Sequence, residues 1–492
     1  MAEPRMHYLN GRWRDGRGAE HVVESSRTGE PMTKYLLASA ADVDAAVAAA
    51  RDALAGPWAR WTAGQRAAAL RALAAQLEPQ VGGIAALAAE EVGTPVTTGS
   101  MVQARGPVFS LGYYADQADG FPFTELRDSA AGSSAVLREP VGVVAAIVPW
   151  NLPLALAAQK AAPALAAGCT VVVKAPPEAP LTGRLLAEAA EVAGLPPGVF
   201  NYVVADAAAS RRLVSHPGVD KVSFTGSTAV GRQIGAACGA DIRRMTLELG
   251  GKSAAILLDD VDLGAAAPQV ARYIVGANSG QGCVCQTRVL VPRSREEEAT
   301  AAIAAAFREL RFGDPLDDAT VIGPMATRGH AARVAGYIDL GLAEGAEVVV
   351  GGGTAAGDPR GFYVPPTLFS GVSSSMRIAR EEVFGPVGVV ISYRDPDEAV
   401  AVANDSDFGL TGTVWTADAV RGFEVARRVR VGLFGVNTFW VDRNAPFGGM
   451  KASGLGREMG VEGLVAYTEA KSVSLPPGSA LRPALAAFSQ RR

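Results

Sequence analysis

From Val141 onward the chain alternates short apolar, β-branched runs with Ala-rich helical stretches, and this alternation restricts the fold more than any other feature. Val141–Val148 is a continuous apolar run. Pro153–Ala167 is helical in composition and stops at Gly168, a residue suited to the left-handed turn that closes a helix. Thr170–Lys174 reads as a second strand, Leu181–Ala193 as a helix closed by Gly194, and Val199–Val204 and Lys221–Phe224 as further strands. Strands that are apolar on both faces and separated by helices imply a parallel sheet covered on both sides. A second α/β region begins near Gly251. It has strands at Lys252–Leu258, Val289–Val291 and Ala346–Val350, with helices at Arg295–Leu310 and His330–Ala343 between them. Ahead of Val141, residues 1–60 read as a short β-rich opening followed by a helix at Ala41–Leu54. Helical stretches continue through Ala63–Leu77 and Val81–Glu91.

A chain of 492 residues exceeds what one core organises and predicts two or three domains. With 49% hydrophobic and 20% charged residues it has the balance of a globular protein. A net charge of −4 and no long basic run argue against a nucleic-acid partner. Four cysteines (Cys169, Cys238, Cys283, Cys285) are too few for a disulfide scaffold of this length. The first residues lack the apolar stretch of a signal peptide, and no run of ~18 apolar residues occurs, so no membrane span and a cytoplasmic location are expected. The four histidines are scattered. Cys283 and Cys285 have no second Cys or His pair near them in sequence, so no metal site is expected.

Four short motifs carry chemistry, each with a plainer alternative. Phe224-Thr225-Gly226-Ser227-Thr228-Ala229-Val230-Gly231 follows a predicted strand and precedes a predicted helix, where exposed N–H groups and the helix dipole favour a phosphate; an ordinary tight turn has the same pattern. Glu248-Leu249-Gly250-Gly251-Lys252 can hold a carboxylate at a strand end facing a cleft, where it acts as a base, or simply a solvated Glu before a turn. Asn278-Ser279-Gly280-Gln281-Gly282-Cys283-Val284-Cys285 offers a thiol after a Gly-rich turn, either an activated nucleophile or a small buried residue. Pro149-Trp150-Asn151 ends the first parallel strand, where side chains face the ligand crevice; an Asn amide there can donate to an oxyanion, or can belong to a turn.

Taken together and in order, these pieces resemble the aldehyde dehydrogenase superfamily over nearly the whole chain. Two further blocks match: Glu381-Glu382-Val383-Phe384-Gly385-Pro386-Val387, and Pro446-Phe447-Gly448-Gly449-Met450-Lys451-Ala452-Ser453-Gly454-Leu455-Gly456-Arg457-Glu458. The 35-residue separation of Glu248 from Cys283 also fits. The resemblance implies an NAD(P)-dependent enzyme that oxidises an aldehyde to a carboxylic acid. Cys283 attacks the carbonyl, and Asn151 with the Cys283 N–H holds the oxyanion. A thioester forms and Glu248 activates the water that hydrolyses it. Lys160 joins this catalytic set. The implied cofactor contacts are Val148, Pro149, Trp150, Lys174, Pro177, Gly226, Ser227, Glu248, Leu249, Gly250, Glu382 and Phe384. The implied substrate tunnel comprises Leu152, Leu156, Gln159, Phe439, Trp440 and Phe447, with Tyr113 and Tyr114 as further walls.

The implied fold is α/β: a Rossmann-like parallel-sheet cofactor domain (1–121 and 141–250), a second α/β catalytic domain (251–452), and a small β oligomerisation arm (122–140 and 466–480) followed by a tail (481–492). The arm, with Tyr467–Val473, would pair edge strands in a homodimer or homotetramer. Two places depart from the pattern, and one is the stretch Val204-Ala205-Asp206-Ala207-Ala208-Ala209, which lacks the glycines often found near the adenine and carries Asp206, a charge that disfavours a phosphate. Where the family often places a ribose-binding glutamate three residues after Lys174, this chain has Pro177, which accepts no hydrogen bond through its side chain. NADP therefore stays open beside NAD, the first choice. The mostly apolar tunnel suits a hydrophobic aldehyde. No motif supplies an arginine to anchor a substrate carboxylate, though Arg443 stays open. Two other readings remain, an enzyme passing the acyl group to coenzyme A and a non-catalytic protein of the same fold.

Overall fold

The computed structural model describes residues 5–276, 278–353, 361–477 and 479. The expected tail, 481–492, lies outside them. Two parallel sheets organise the molecule. The first has eight strands in the order Gly454–Leu455, Arg244–Glu248, Lys221–Thr225, Val143–Ile147, Thr170–Ala175, Phe200–Val204, His7–Leu9 and Arg12–Arg14. Its five central strands are parallel; Gly454–Leu455 and His7–Leu9 pair antiparallel at either side, and Arg12–Arg14 pairs antiparallel with His7–Leu9. Val143–Ile147, Thr170–Ala175 and Phe200–Val204 are buried almost throughout, matching their apolar, β-branched runs.

Chain order makes Val143–Ile147 the pivot of this sheet. The chain proceeds outward through Thr170–Ala175 and Phe200–Val204, then returns to place Lys221–Thr225 on the pivot's other side. A crevice opens at the carboxyl ends of strands where the winding reverses in this way. Trp150-Asn151, Lys174, Gly226-Ser227 and Glu248 all sit at that end.

The second sheet has seven strands in the order Glu347–Val350, Thr367–Ser370, Val387–Tyr393, Arg288–Pro292, Ala254–Leu257, Thr411–Trp415 and Leu433–Val436. All are parallel except Glu347–Val350. Helices Leu263–Val275, Glu296–Glu309 and Arg328–Ala343 flank it.

Residues 124–129 and 132–140 form a hairpin, and 468–475 adds to it antiparallel, from Thr468 opposite Pro140 to Leu475 opposite Ser133. The two expected arm segments thus pair with one another within the chain. The helix Pro153–Ala167 starts and stops where its composition placed it, with Pro153 in its first turn and Gly168 at φ +96° closing it. Among the described residues no helix is long and apolar enough to cross a membrane, and no group of metal-ligating side chains is assembled.

Candidate active site

The crevice of the first sheet faces a loop from the second. Helix Leu263–Val275 ends at Gly276, and the Gly-rich segment 278–285 then crosses towards the first sheet. Gly280 has φ +81°, and a Cβ there would overlap the backbone of Gly385, so only glycine lets these segments close-pack. Gln281 locks the loop in place: its amide nitrogen donates to the Asn278 and Pro324 carbonyls (3.3 Å each), and its side-chain oxygen accepts from the Ala326 N–H (2.8 Å).

This loop brings Cys283 to the other expected catalytic groups. The Asn151 side chain donates to the Gln281 carbonyl at 2.8 Å, and the Asn151 carbonyl accepts from Asn278 and Gln103. A carboxamide has two N–H bonds; one fixed on Gln281 leaves the other for a ligand. Gly251 lies against the Cys283 carbonyl, where a side chain would collide. The Gly251 N–H donates to Glu382 at 2.9 Å, and the Glu382 carboxylate also occupies the space a side chain on Gly250 would take. Thus 151, 248–251, 283 and 382 converge on one place.

Burial sets the electrostatics. Glu248 is 3% exposed, and neither of its carboxylate oxygens has a hydrogen-bond partner. Gly448 has no side chain to fill the space beside it; a Cβ would lie 2.6 Å from Oε1. Burial, reinforced by nearby Glu458, pushes the Glu248 carboxyl well above its ordinary range, while Lys160, Arg457 and the Gly449 backbone N–H oppose the shift. Burial also pushes the Cys283 thiol up, with the Glu382 and Glu248 carboxylates adding to it. Both shifts have one main cause, burial, which disfavours the charged forms of the thiol and the carboxyl. Cys285 is buried more completely, and burial pushes its thiol to about 12.

Behind the carboxylate lies a polar network. Lys160 pairs with Glu458 at 2.5 Å and reaches Ser223 at 3.3 Å. Gln159 donates to the other Glu458 oxygen at 2.5 Å, and the Tyr467 hydroxyl donates to Ser223 at 3.1 Å. Gln159, expected as a tunnel wall, thus spends its amide on Glu458. Tyr114 is core, 2% exposed, its hydroxyl donating to the Gly460 carbonyl. Phe447 belongs to a small apolar cluster with Leu410 and Met459, against which Cys283, Val284 and Val441 pack. Phe439 stacks edge-on against Tyr273, Leu156 packs on the core of the first sheet, Leu152 precedes the Pro153–Ala167 helix, and Trp440 is 64% exposed.

The expected cofactor contacts line the same crevice. Ser227 caps the 13-residue helix Thr228–Ala240, its hydroxyl accepting from the Val230 N–H. Gly226 donates to the Glu248 carbonyl (3.0 Å), and Gly231 leaves room for Leu249. Val148 donates to the Lys174 carbonyl (3.1 Å). Lys174 makes no side-chain hydrogen bond or ion pair among the described residues, and burial lowers it to about 8. The segment after it is pinned through Tyr35 on the Pro177 carbonyl and Tyr202 on the Pro180 carbonyl. A cationic lysine without a partner, a capped helix N-terminus and a carboxylate at Glu382 suit the hydroxyls and pyrophosphate of a dinucleotide.

Sequence reasoning left out several supports. Gln103, Gln281 and Glu458 reach their partners only through the fold. His330 bonds the Phe384 carbonyl at 2.7 Å, and its ring forms a triangle with those of Trp150 (4.9 Å) and Phe384 (5.9 Å), which lie 5.5 Å from each other. Phe384 is held there at φ +63°, an unfavourable conformation for an aromatic residue. The adjacent Trp150-Asn151 motif gave no signal for a histidine so far along the chain.

The profile of the aldehyde dehydrogenase family matches residues 13–473. A geranial dehydrogenase of Castellaniella defragrans is 49% identical over 436 residues, 88% of this chain and 91% of that protein. Among solved structures, an aldehyde dehydrogenase of Mycobacterium tuberculosis complexed with NAD+ is 44% identical and superposes with a TM-score of 0.94, covering 97% of this chain and 99% of that one. A mutant of aldehyde dehydrogenase C of Pseudomonas syringae, complexed with NAD+ and octanal, is 38% identical with a TM-score of 0.92, covering 96% of each chain.

Proposed function

The chain belongs to the aldehyde dehydrogenase family, and from that premise we propose how its own residues oxidise an aldehyde to a carboxylic acid with NAD+. Cys283 is the nucleophile. Its sulfur gives its proton to the Glu248 carboxylate, which passes it to solvent, and adds to the aldehyde carbonyl; the free N–H of the Asn151 carboxamide, with the backbone N–H of Cys283, holds the resulting oxyanion. NAD+, when bound, supplies the hydride acceptor that lets the thiohemiacetal on Cys283 become a thioester. Glu248 takes a proton from water and directs the oxygen at that thioester, releasing the acid. Lys160 braces Glu458 behind Glu248 and opposes the rise of its pKa. Lys174, Ser227 and Glu382, with the backbone of 148–150, 226 and 249–250, the Pro177 segment and the Phe384 ring, hold the dinucleotide.

One observation carries this reading: a buried carboxylate with no side-chain partner among the described residues, only the Gly449 backbone N–H acting on it, stands beside a thiol on a glycine-rich turn. It also argues against acyl transfer to coenzyme A, which needs no base for water, and against a protein without catalysis, which would gain nothing from an unpartnered buried acid. The apolar cluster of Phe447, Leu410 and Met459 beside Cys283 suits an aldehyde with an apolar body. The purified chain should reduce NAD+ with aliphatic or aromatic aldehydes and release free acid without added coenzyme A, followed by NADH absorbance and acid chromatography. Acid formation that requires coenzyme A would overturn the hydrolytic step.

The strand Thr468–Leu475 lies at the edge of its three-stranded sheet, with residues 470–474 exposed. An exposed edge of this kind pairs with another chain unless blocked, so the enzyme acts as a homodimer or homotetramer. Light scattering coupled to gel filtration should give two or four chains per particle; a monomer at assay concentration would refute this.

A further inference from the structure

Among the described residues Arg443 is a cation without a counter-ion. It lies on the segment joining Val441 to Phe447, both of which belong to the apolar surroundings of Cys283. The side chain is half-buried and turns onto the helix Gly106–Gly120. Nη2 lies 2.8 Å from where a Cβ on Gly106 would stand, and the guanidinium carbon lies 5.2 Å from the centre of the Phe109 ring. The absence of a side chain at Gly106 is what admits the guanidinium. Three residues earlier, Gln103 donates to the Asn151 carbonyl, so the wall that carries Arg443 continues to the expected oxyanion donor.

Among the described residues no carboxylate pairs with Arg443, and its Nε is buried without a partner. Its neighbour Asp442 is turned away, accepting from the backbone and side-chain nitrogens of Asn444. Burial lowers the Arg443 pKa, and no acid offsets it. A partly desolvated charge left unpaired is costly unless a ligand completes it. A guanidinium matches a planar carboxylate in a two-pronged geometry.

We propose that Arg443 anchors the far end of the substrate, and that the preferred substrates are oxo-acids with the aldehyde at one end, an apolar body, and a carboxylate at the other. This rests on the reading of Cys283 as nucleophile and adds a second point of recognition to it. The Phe109 ring and the missing side chain at Gly106 seat the guanidinium, so the reach from Cys283 favours one substrate length.

The test compares straight-chain aldehydes with ω-oxocarboxylates of matched length in the wild type and in Arg443→Met. The wild-type ratio of kcat/KM, oxo-acid over neutral aldehyde, should peak at one chain length. At that length Arg443→Met should lower the ratio about tenfold to a hundredfold, the range for a charged hydrogen bond. The loss should fall mainly in KM, and Arg443→Lys should restore part of it. Gly106→Val, which displaces the guanidinium without removing it, should lower the same ratio and stands in if Arg443→Met fails to fold. An equal ratio in wild type and variants at every length would overturn the anchor while leaving the oxidation of neutral aldehydes intact. Failure of the wild type on both series would overturn the underlying reading instead.

Discussion

A Cys283→Ala enzyme should produce no NADH above background with any aldehyde, a loss on the order of 10⁴-fold or more, because no other group can form the covalent adduct. Cys285 cannot substitute for it. Cys285 is 5% exposed, its sulfur lies against Gly276 and Gly282, and burial pushes its thiol to about 12. The same variant should bind NADH with an affinity within a few-fold of wild type, since Lys174, Ser227 and Glu382 are untouched. Fluorescence titration of NADH measures this beside the turnover assay. Residual turnover near the wild-type rate would remove Cys283 from the mechanism. Lost binding together with lost turnover would point to a collapsed loop, because 278–285 is braced through Gln281 and Gly280.

The second large effect falls on Glu248. Glu248→Gln keeps the shape and the burial but removes the base. Each active site should then release one equivalent of NADH and stall as an acyl adduct on Cys283, with steady-state turnover down about 10²- to 10⁴-fold. Rapid quenching and intact mass measurement would show the adduct. The pH dependence follows from the direction of the shift. Glu248 works as the carboxylate, and burial with Glu458 nearby raises its folded pKa, so hydrolysis should gain speed as pH rises through a value above the ordinary carboxylate range. That limb should be absent in Glu248→Gln. Unchanged steady-state turnover in the variant would exclude Glu248 as the essential base.

The legible parts of the fold are those with local signals. The helix Ala63–Leu77 matches its expected span to the residue; Thr62 accepts from the Gln65 N–H and Gln65 reaches back to the Thr62 N–H, a reciprocal cap written in four letters. The parallel strands were readable because burial on both faces leaves nothing but apolar residues. The helix Gly106–Gly120 gave no such mark, since it opens on Gly-Pro and has no side-chain cap. The strands Val387–Tyr393 and Thr411–Trp415 carry Gly388 and Gly412, which interrupt the pattern. The motifs named Cys283, Glu248 and Asn151, and the fold brings those three positions together. What holds them in place was not readable. Asn151 meets Gln281 across 130 positions and Lys160 meets Glu458 across 298, and no periodicity or spacing encodes a contact of that range. Tyr114 was mistaken for a wall because an aromatic on a helix looks the same whether it faces substrate or core.

The strand that carries Glu248 has its outer neighbour at Gly454–Leu455, and Ser453 closes onto the Gly250 carbonyl from 203 residues further along. During synthesis at ~5–20 residues per second, about 10–40 seconds separate emergence of the base from emergence of the segment that seats it. Over that interval the nascent chain displays the sulfur and the cofactor turn without a finished reaction chamber. The chamber around Glu248 is therefore complete only once the segment that carries Ser453 and Gly454–Leu455 has been made.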